Sequence, residues 1–271
     1  MQPRFEVAAV IEKFGKQFIE QHIPNSYQIR TLRALRDCRT AALGGHVDSC
    51  TNCGHIQISY NSCRNRHCPK CQGEKKEQWI EARNNDLLPI PYYHVVFTLP
   101  DTLNQFCLHH PKEMYNQLFK CAWNTLFSFA LDEKYLGALP GMIAILHTWG
   151  QTLSLHPHLH CLVPAGGISI TDRWIASKYK GSYLFPVKAM SKVFRGKYMF
   201  AFKRLCKQKN ITLDQRLLDE VYQHEWIVYS KAPYKSVASV LEYLARYTHR
   251  IAISNHRIKN ISNTHVEFYF K

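Results

Sequence analysis

Three imidazoles at alternate positions, His156, His158 and His160, interrupt an otherwise apolar run, LHPHLHCLV, over residues 155–163. In an extended strand successive side chains point to opposite faces, so the three histidines share one side while Leu155, Pro157, Leu159 and Cys161 share the other. Two imidazoles at i and i+2 offer neighbouring nitrogens to a single divalent ion, and His158 with His160 has that form. A useful site needs a third ligand. His156 lies on the same face, and His147 on the preceding strand and Gln151 in the link are alternatives. Imidazoles alone suit Zn²⁺, whereas a partly solvated site that binds phosphate suits Mg²⁺ or Mn²⁺, with water and phosphate oxygens completing the shell.

A nucleophile is the second requirement. Residues 236–250, SVASVLEYLARYTHR, read as a helix whose buried stripe is Val237, Val240, Leu241, Leu244 and Thr248. Tyr243 and Tyr247, four residues apart, are neighbours along one flank, with Arg246 and Arg250 on the same side. The plainer account makes them boundary aromatics, rings in the core and hydroxyls in water. The chemical account is covalent catalysis, in which a phenol attacks a phosphodiester and keeps the phosphoryl end. Free tyrosine has a pKa of about 10, so the attack needs a divalent ion on the scissile phosphate and arginines to offset developing charge.

Cysteine supplies a third set of donors. Cys50-Thr51-Asn52-Cys53 and Cys68-Pro69-Lys70-Cys71 are C-x-x-C pairs separated by fourteen residues, and each pair can present two thiolates to a tetrahedral Zn²⁺. Cys63 and His67 are alternate ligands, and Cys38, His46 and His55 are surplus donors. Four protein ligands leave no open coordination position, so this zinc is expected to be structural. Arg64, Arg66, Lys70, Lys75 and Lys76 make the same stretch basic.

These groups need elements to hold them. Residues 1–37 read as a helical entry segment, with Asn25 or Ser26 capping its second helix. Residues 38–76, short of long apolar runs, form the zinc-binding module, and 77–271 form the remaining domain. Strands are expected at YYHVVFTLP (92–100), at MIAILHTWG and LHPHLHCLV as an antiparallel hairpin, at EWIVYS (225–230) and at HVEFYF near the end. Helices are expected near 112–136 and 188–208. Lys plus Arg outnumber Asp plus Glu by 35 to 20, a net charge of +15 over 271 residues that favours a polyanion, nucleic acid first. No apolar run approaches the roughly 20 residues that span a bilayer, and MQPRFEVAAVIEKFGKQ is no signal peptide, which points to the cytoplasm and no membrane partner. Trp149, Trp174, Tyr179 and Tyr183, interleaved with Arg173, Lys178 and Lys180, are candidate stacking and phosphate contacts for a single strand.

Taken together, these motifs resemble the IS91-type transposases of the HUH endonuclease superfamily, in their two-tyrosine form. LHPHLHCLV is similar to the His-hydrophobic-His metal motif, YLARYTHRIAISNHRI to the paired-tyrosine motif, VVFTLP to the first strand motif of rolling-circle initiators, and SCRNRHCPKC to the N-terminal zinc region. The likeness runs from about residue 30 to the end. It implies an α+β fold, a central antiparallel sheet with flanking helices, preceded by helices and a small zinc-binding module. It also implies nicking and rejoining of single-stranded DNA at element ends, through a 5′-phosphotyrosine with a free 3′-OH, in rolling-circle-like transposition. Members of the family usually continue beyond a final strand such as HVEFYF, so the catalytic domain is expected to be C-terminally truncated. The rival expectations are a non-catalytic zinc-dependent DNA-binding protein and a hydrolytic nuclease that leaves no covalent adduct.

Overall fold

The computed structural model describes residues 3–83, 87–178, 184–234, 239–243 and 251–270, and the chain divides into two units, 1–83 with 245–271, and 84–244. The first unit opens with α1 (Val7–His22) and α2 (Ser26–Asp37). Asn25 caps α2 through a reciprocal pair: its side chain accepts from the Gln28 N–H, and the Gln28 side chain accepts from the Asn25 N–H. An antiparallel hairpin follows, β1 (Gly45–Ser49) with β2 (Ile56–Tyr60), and then α3 (Pro69–Arg83). A Cβ at Gly45 would fall 2.8 Å from the Ser59 carbonyl oxygen, so only glycine lets the two strands close there. Leu35 with Cys38, Cys68 and Cys71 forms a small buried cluster in this unit, and Val7, Ile11 and Cys63 pack against it.

The second unit is built around a four-stranded sheet. It comprises β3 (Tyr92–Thr98), α4 (Asn104–His109), α5 (Pro111–Leu131), β4 (Leu139–Pro140), β5 (Ile143–Trp149), β6 (Leu155–Pro164), β7 (Gly166–Ile168), β8 (Trp174–Ala176), α6 (Val187–Gln208), α7 (Gln215–Gln223) and β9 (Val228–Tyr234). The order is β5-β6-β3-β9 with every neighbour antiparallel, so the histidine strand β6 lies inside the sheet. Strands β4, β7 and β8 form a separate three-stranded sheet. The fold is thus α+β with an antiparallel sheet and flanking helices, as the resemblance implies.

Alternation divides the large sheet into two faces. Tyr93, Val95 and Phe97 of β3 and Leu159, Cys161 and Val163 of β6 join one core with Leu118, Ala122 and Leu126 of α5 and Phe194, Tyr198 and Phe202 of α6. Phe97 meets Phe194 edge-on at 4.9 Å between ring centroids, and the buried Tyr198 hydroxyl donates to the Met114 carbonyl at 3.1 Å. The opposite face carries the histidines.

Some boundaries differ from expectation. Helix α5 stops at Leu131, where Asp132 leads into a turn that ends at Gly137 with φ +70°. Strand β9 starts at Val228, because Trp226 is buried ahead of it with its indole N–H on the Val221 carbonyl. The last hairpin, β10 (Ile258–Ile261) with β11 (Val266–Phe268), groups with the N-terminal helices rather than with the preceding domain. The Val7 N–H donates to Asn255 Oδ1 at 3.0 Å, and Lys13 Nζ to Asn263 Oδ1 at 2.9 Å, contacts across about the whole chain length that no local pattern signals. No helix among the described residues is long and apolar enough to cross a membrane.

Leu159 sits between two histidines and is fully buried on the opposite face. Leu159→Ala is expected to cost about 3 kcal/mol through lost transfer energy and a residual cavity, read as a lowered midpoint in urea unfolding. An unchanged midpoint would mean the strand is not anchored by its core face.

Candidate active site and zinc site

Cross-strand register assembles the histidine face. His147 of β5 is opposite His158, Val96 of β3 is opposite His160, and His94, two residues from Val96, projects from the same side. One donor atom each from His147, His158 and His160 lies within 4.8 Å of the others. The Nε2 atoms of His158 and His160 face each other at 3.0 Å. His158 Nδ1 is 2.6 Å from the His156 carbonyl oxygen, which only accepts, so the proton sits on Nδ1 and Nε2 is left with its lone pair. His158 and His160 could hold a cation through these two nitrogens. Six-coordinate ions with bonds of about 2.1 Å have adjacent donors about 3.0 Å apart, and tetrahedral ones somewhat more, so the donor set fits either.

His156, expected to share the metal, is placed elsewhere. Its ring packs against His158, but its Nδ1 lies 3.5 Å from Asp101 Oδ1 and the side chain is partly exposed. The β5–β6 ladder shifts register between His147 and Trp149, which breaks the regular pairing at the end of the strand where His156 lies. His147, one of the alternatives from the preceding strand, occupies the third position.

His94 was read only as part of a buried strand. Its Nε2 is 2.9 Å from His160 Nδ1 and also contacts the Tyr243 hydroxyl, while that hydroxyl is 3.2 Å from His160 Nδ1. The His94 and Tyr243 rings are 4.6 Å apart. Burial, with the Lys231 ammonium nearby, pushes His94 down to about 4, so it is neutral near pH 7. The available signal was a histidine at an alternating position of YYHVVFTLP, unusable without the β3–β6 register. Tyr243 lies in the helical residues 239–243; Tyr247, Arg246 and Arg250 lie outside the described residues.

The zinc-type donors also regroup. The sulfurs of Cys38, Cys63, Cys68 and Cys71 lie within 4.8 Å of one another, with Cys38 to Cys71 at 3.6 Å and Cys63 to Cys71 at 3.8 Å. Four thiolates at about 2.3 Å from a tetrahedral zinc have sulfurs about 3.8 Å apart, so the fit is close. Burial pushes the metal-free Cys63 thiol up to about 11 and Cys68 further still. A cation is what makes such thiolates affordable there. Cys50 and Cys53 instead lie exposed between β1 and β2, and His67 is outside the four-sulfur group. Pair spacing does not reveal that Cys38, the C-cap of α2, is buried against Cys71.

The proposed DNA contacts lie on the smaller sheet and beyond it. Trp174, on β8, crosses Gly166 so closely that a Cβ there would be 2.4 Å from its ring, yet it stays 40% exposed. Lys178 Nζ donates to the Glu133 carbonyl. Tyr179, Lys180 and Tyr183 lie outside the described residues.

Comparison with known proteins gives a consistent set of likenesses. Residues 141–271 match the family model described as "Putative transposase", and residues 10–99 the one described as "Transposase zinc-binding domain". "Putative transposase y4qJ" of Sinorhizobium fredii is 40% identical over an alignment of 282 residues that covers 98% of this chain and 70% of that protein. The transposase for insertion sequence element IS801 of Pseudomonas savastanoi pv. phaseolicola is 36% identical over 149 residues, 54% of this chain and 35% of that protein. The conjugative relaxase TrwC, solved in complex with oriT DNA, aligns over 58% of this chain and 70% of its own at 9% identity, with a TM-score of 0.31, too loose an overlap to assign chemistry.

The sulfur geometry makes a metal-content test decisive. The purified chain is expected to carry about one tightly held zinc that Cys38→Ser or Cys71→Ser loses and Cys50→Ser keeps, measured by chromogenic release with a thiol-modifying reagent. Loss in Cys50→Ser with retention in Cys38→Ser would restore the paired-knuckle ligand set.

Proposed function

Because the chain belongs to the IS91 family of transposases, we propose that it nicks and rejoins single-stranded DNA at element ends through a 5′-phosphotyrosine, in rolling-circle-like transposition. The observation that carries this is the contact of the Tyr243 hydroxyl with His94 Nε2 and its 3.2 Å approach to His160 Nδ1, beside the three-histidine donor set. A phenol held against a candidate metal site is what phosphoryl transfer to tyrosine requires.

His147, His158 and His160 would hold Mg²⁺ or Mn²⁺. When bound, such an ion would polarise the scissile phosphate and offset its developing charge. The chain's own residues do the rest. With Nε2 of His160 given to a ligand role, its proton would be on Nδ1, and that N–H would donate to the Tyr243 hydroxyl oxygen. His94, neutral, presents Nε2 as acceptor to the phenol and orients it. Tyr243 Oη forms the bond to phosphorus as the bond from phosphorus to the 3′ oxygen breaks. The phenol proton leaves along the His94 hydrogen bond, and a proton ends on the 3′ oxygen. Rejoining reverses these steps with an incoming 3′-OH. Tyr247 is the proposed second nucleophile, and Arg246 and Arg250 are proposed to offset phosphate charge. The four-cysteine zinc is proposed to be structural. Trp174 and Lys178 remain proposed contacts for the strand away from the reacting phosphate.

Labelled single-stranded DNA carrying element ends, incubated with Mg²⁺ or Mn²⁺ and run on a denaturing gel, tests this directly. A covalent adduct is expected, lost in Tyr243→Phe with Tyr247→Phe and in His147→Ala, and kept in His156→Ala. Cleavage without an adduct would replace the scheme by metal-assisted hydrolysis, and binding without cleavage by a non-catalytic DNA-binding protein. His94→Ala is expected to slow adduct formation about 100-fold by loosening the phenol. His94→Gln, which restores an acceptor, is expected to recover part of that loss, and equal defects in both would make His94 merely structural.

A further inference from the structure

Strand β9 is an edge of the large sheet, and alternation puts part of it on the histidine face. Tyr229 is opposite Val96 and Lys231 opposite His94, while Val96 is itself opposite His160 on the other side of β3. Directly opposed residues share a face, so Tyr229 and Lys231 flank the reacting groups. The Tyr229 ring meets His94 edge-on, with 6.4 Å between centroids. His94 in turn holds the Tyr243 hydroxyl.

Tyr229 is nevertheless 51% exposed, and its hydroxyl has no hydrogen-bond partner among the described residues. Its ring therefore does little for the core. Lys231 is exposed and has no carboxylate partner among the described residues, though its charge acts on His94. An aromatic ring open on one side beside an unneutralised amine matches a nucleotide: the base stacks on the ring and the phosphate meets the ammonium.

From this we infer that Tyr229 and Lys231 form a nucleotide-binding subsite that takes one unpaired base next to the scissile phosphate. The subsite rests on the phosphotyrosine scheme for its neighbour, but its own chemistry is stacking and charge. It selects single strands for a physical reason. In a duplex both faces of a base are already stacked and its edge is paired, so a base reaches the Tyr229 ring only when it is free. Tyr229 fixes the base while Lys231 fixes the adjacent phosphate, which sets the reacting phosphorus relative to Tyr243. Stacking tolerates any base, so this subsite contributes strand type and position rather than sequence.

The test uses the full chain in a Tyr243→Phe background and two strands of equal length, an oligothymidylate and an abasic sugar-phosphate polymer. The parent is expected to prefer the oligothymidylate. Tyr229→Ala is expected to weaken oligothymidylate binding about tenfold and leave abasic binding unchanged, while Tyr229→Phe, which keeps the ring, behaves as the parent. Lys231→Ala is expected to weaken both strands and flatten the salt dependence. A parent without base preference, a Tyr229→Ala variant that keeps it, or one that weakens both strands alike overturns the subsite. Adduct formation by the unsubstituted chain is scored in parallel. Absence of the adduct together with loss of base preference in Tyr229→Ala would sink the phosphotyrosine scheme and leave the subsite standing.

Discussion

The site depends on β6 lying between β5 and β3 with its odd-numbered residues in the core. Leu159 and Cys161 are fully buried, and that burial forces His158 and His160 out of the opposite face, each only 8% exposed. Imidazoles so enclosed need partners, since an unpaired buried polar group costs about 1–3 kcal/mol. The neighbouring strands supply them: His147 from β5, His94 from β3, and the His156 carbonyl from β6 itself. A one-residue slip of β6 would exchange the faces and dissolve both core and site.

The donor set has an electrostatic consequence. His147, His158 and His160 form an all-imidazole donor group, and no carboxylate belongs to it among the described residues. A divalent ion held there would keep its full charge available to an incoming phosphate, whereas carboxylate ligands would neutralise part of it. The protein's net charge of +15 works in the same direction over longer range. Depression of His94 to about 4 means that the group nearest Tyr243 adds no competing positive charge at neutral pH.

The N-terminal unit solves a different problem. The buried cluster between its helices is one leucine and three cysteines, a small apolar core for two helices and a hairpin. Thiols clustered at 3.6 to 3.8 Å make a metal-centred core the economical solution, with folding and metal binding as one event. The β10–β11 hairpin, joined to α1 through Asn255 and Asn263, enlarges this unit with residues from the far end of the chain.

Much of this was legible in local pattern, and the limits have physical causes. Period-two alternation identified β6 and the face of its histidines, an apolar run identified β3, and Asn25 with Gln28 marked the start of α2, because each depends only on neighbours in the chain. The cysteine spacing pointed to a zinc-binding module, which the four-sulfur group and the zinc-binding family model support. What alternation leaves open is register, and register is set by packing against α5 and α6. It put His147 rather than His156 in the donor group of His158 and His160, and brought His94 to Tyr243 across 149 residues. Burial likewise chose Cys38 and Cys63 over Cys50 and Cys53, because a thiol's place in a core is decided by what surrounds it in space. The sequence by itself determined the kinds of donor and the face each strand would show; only the tertiary structure decided which of them meet, since meeting depends on contacts between distant segments.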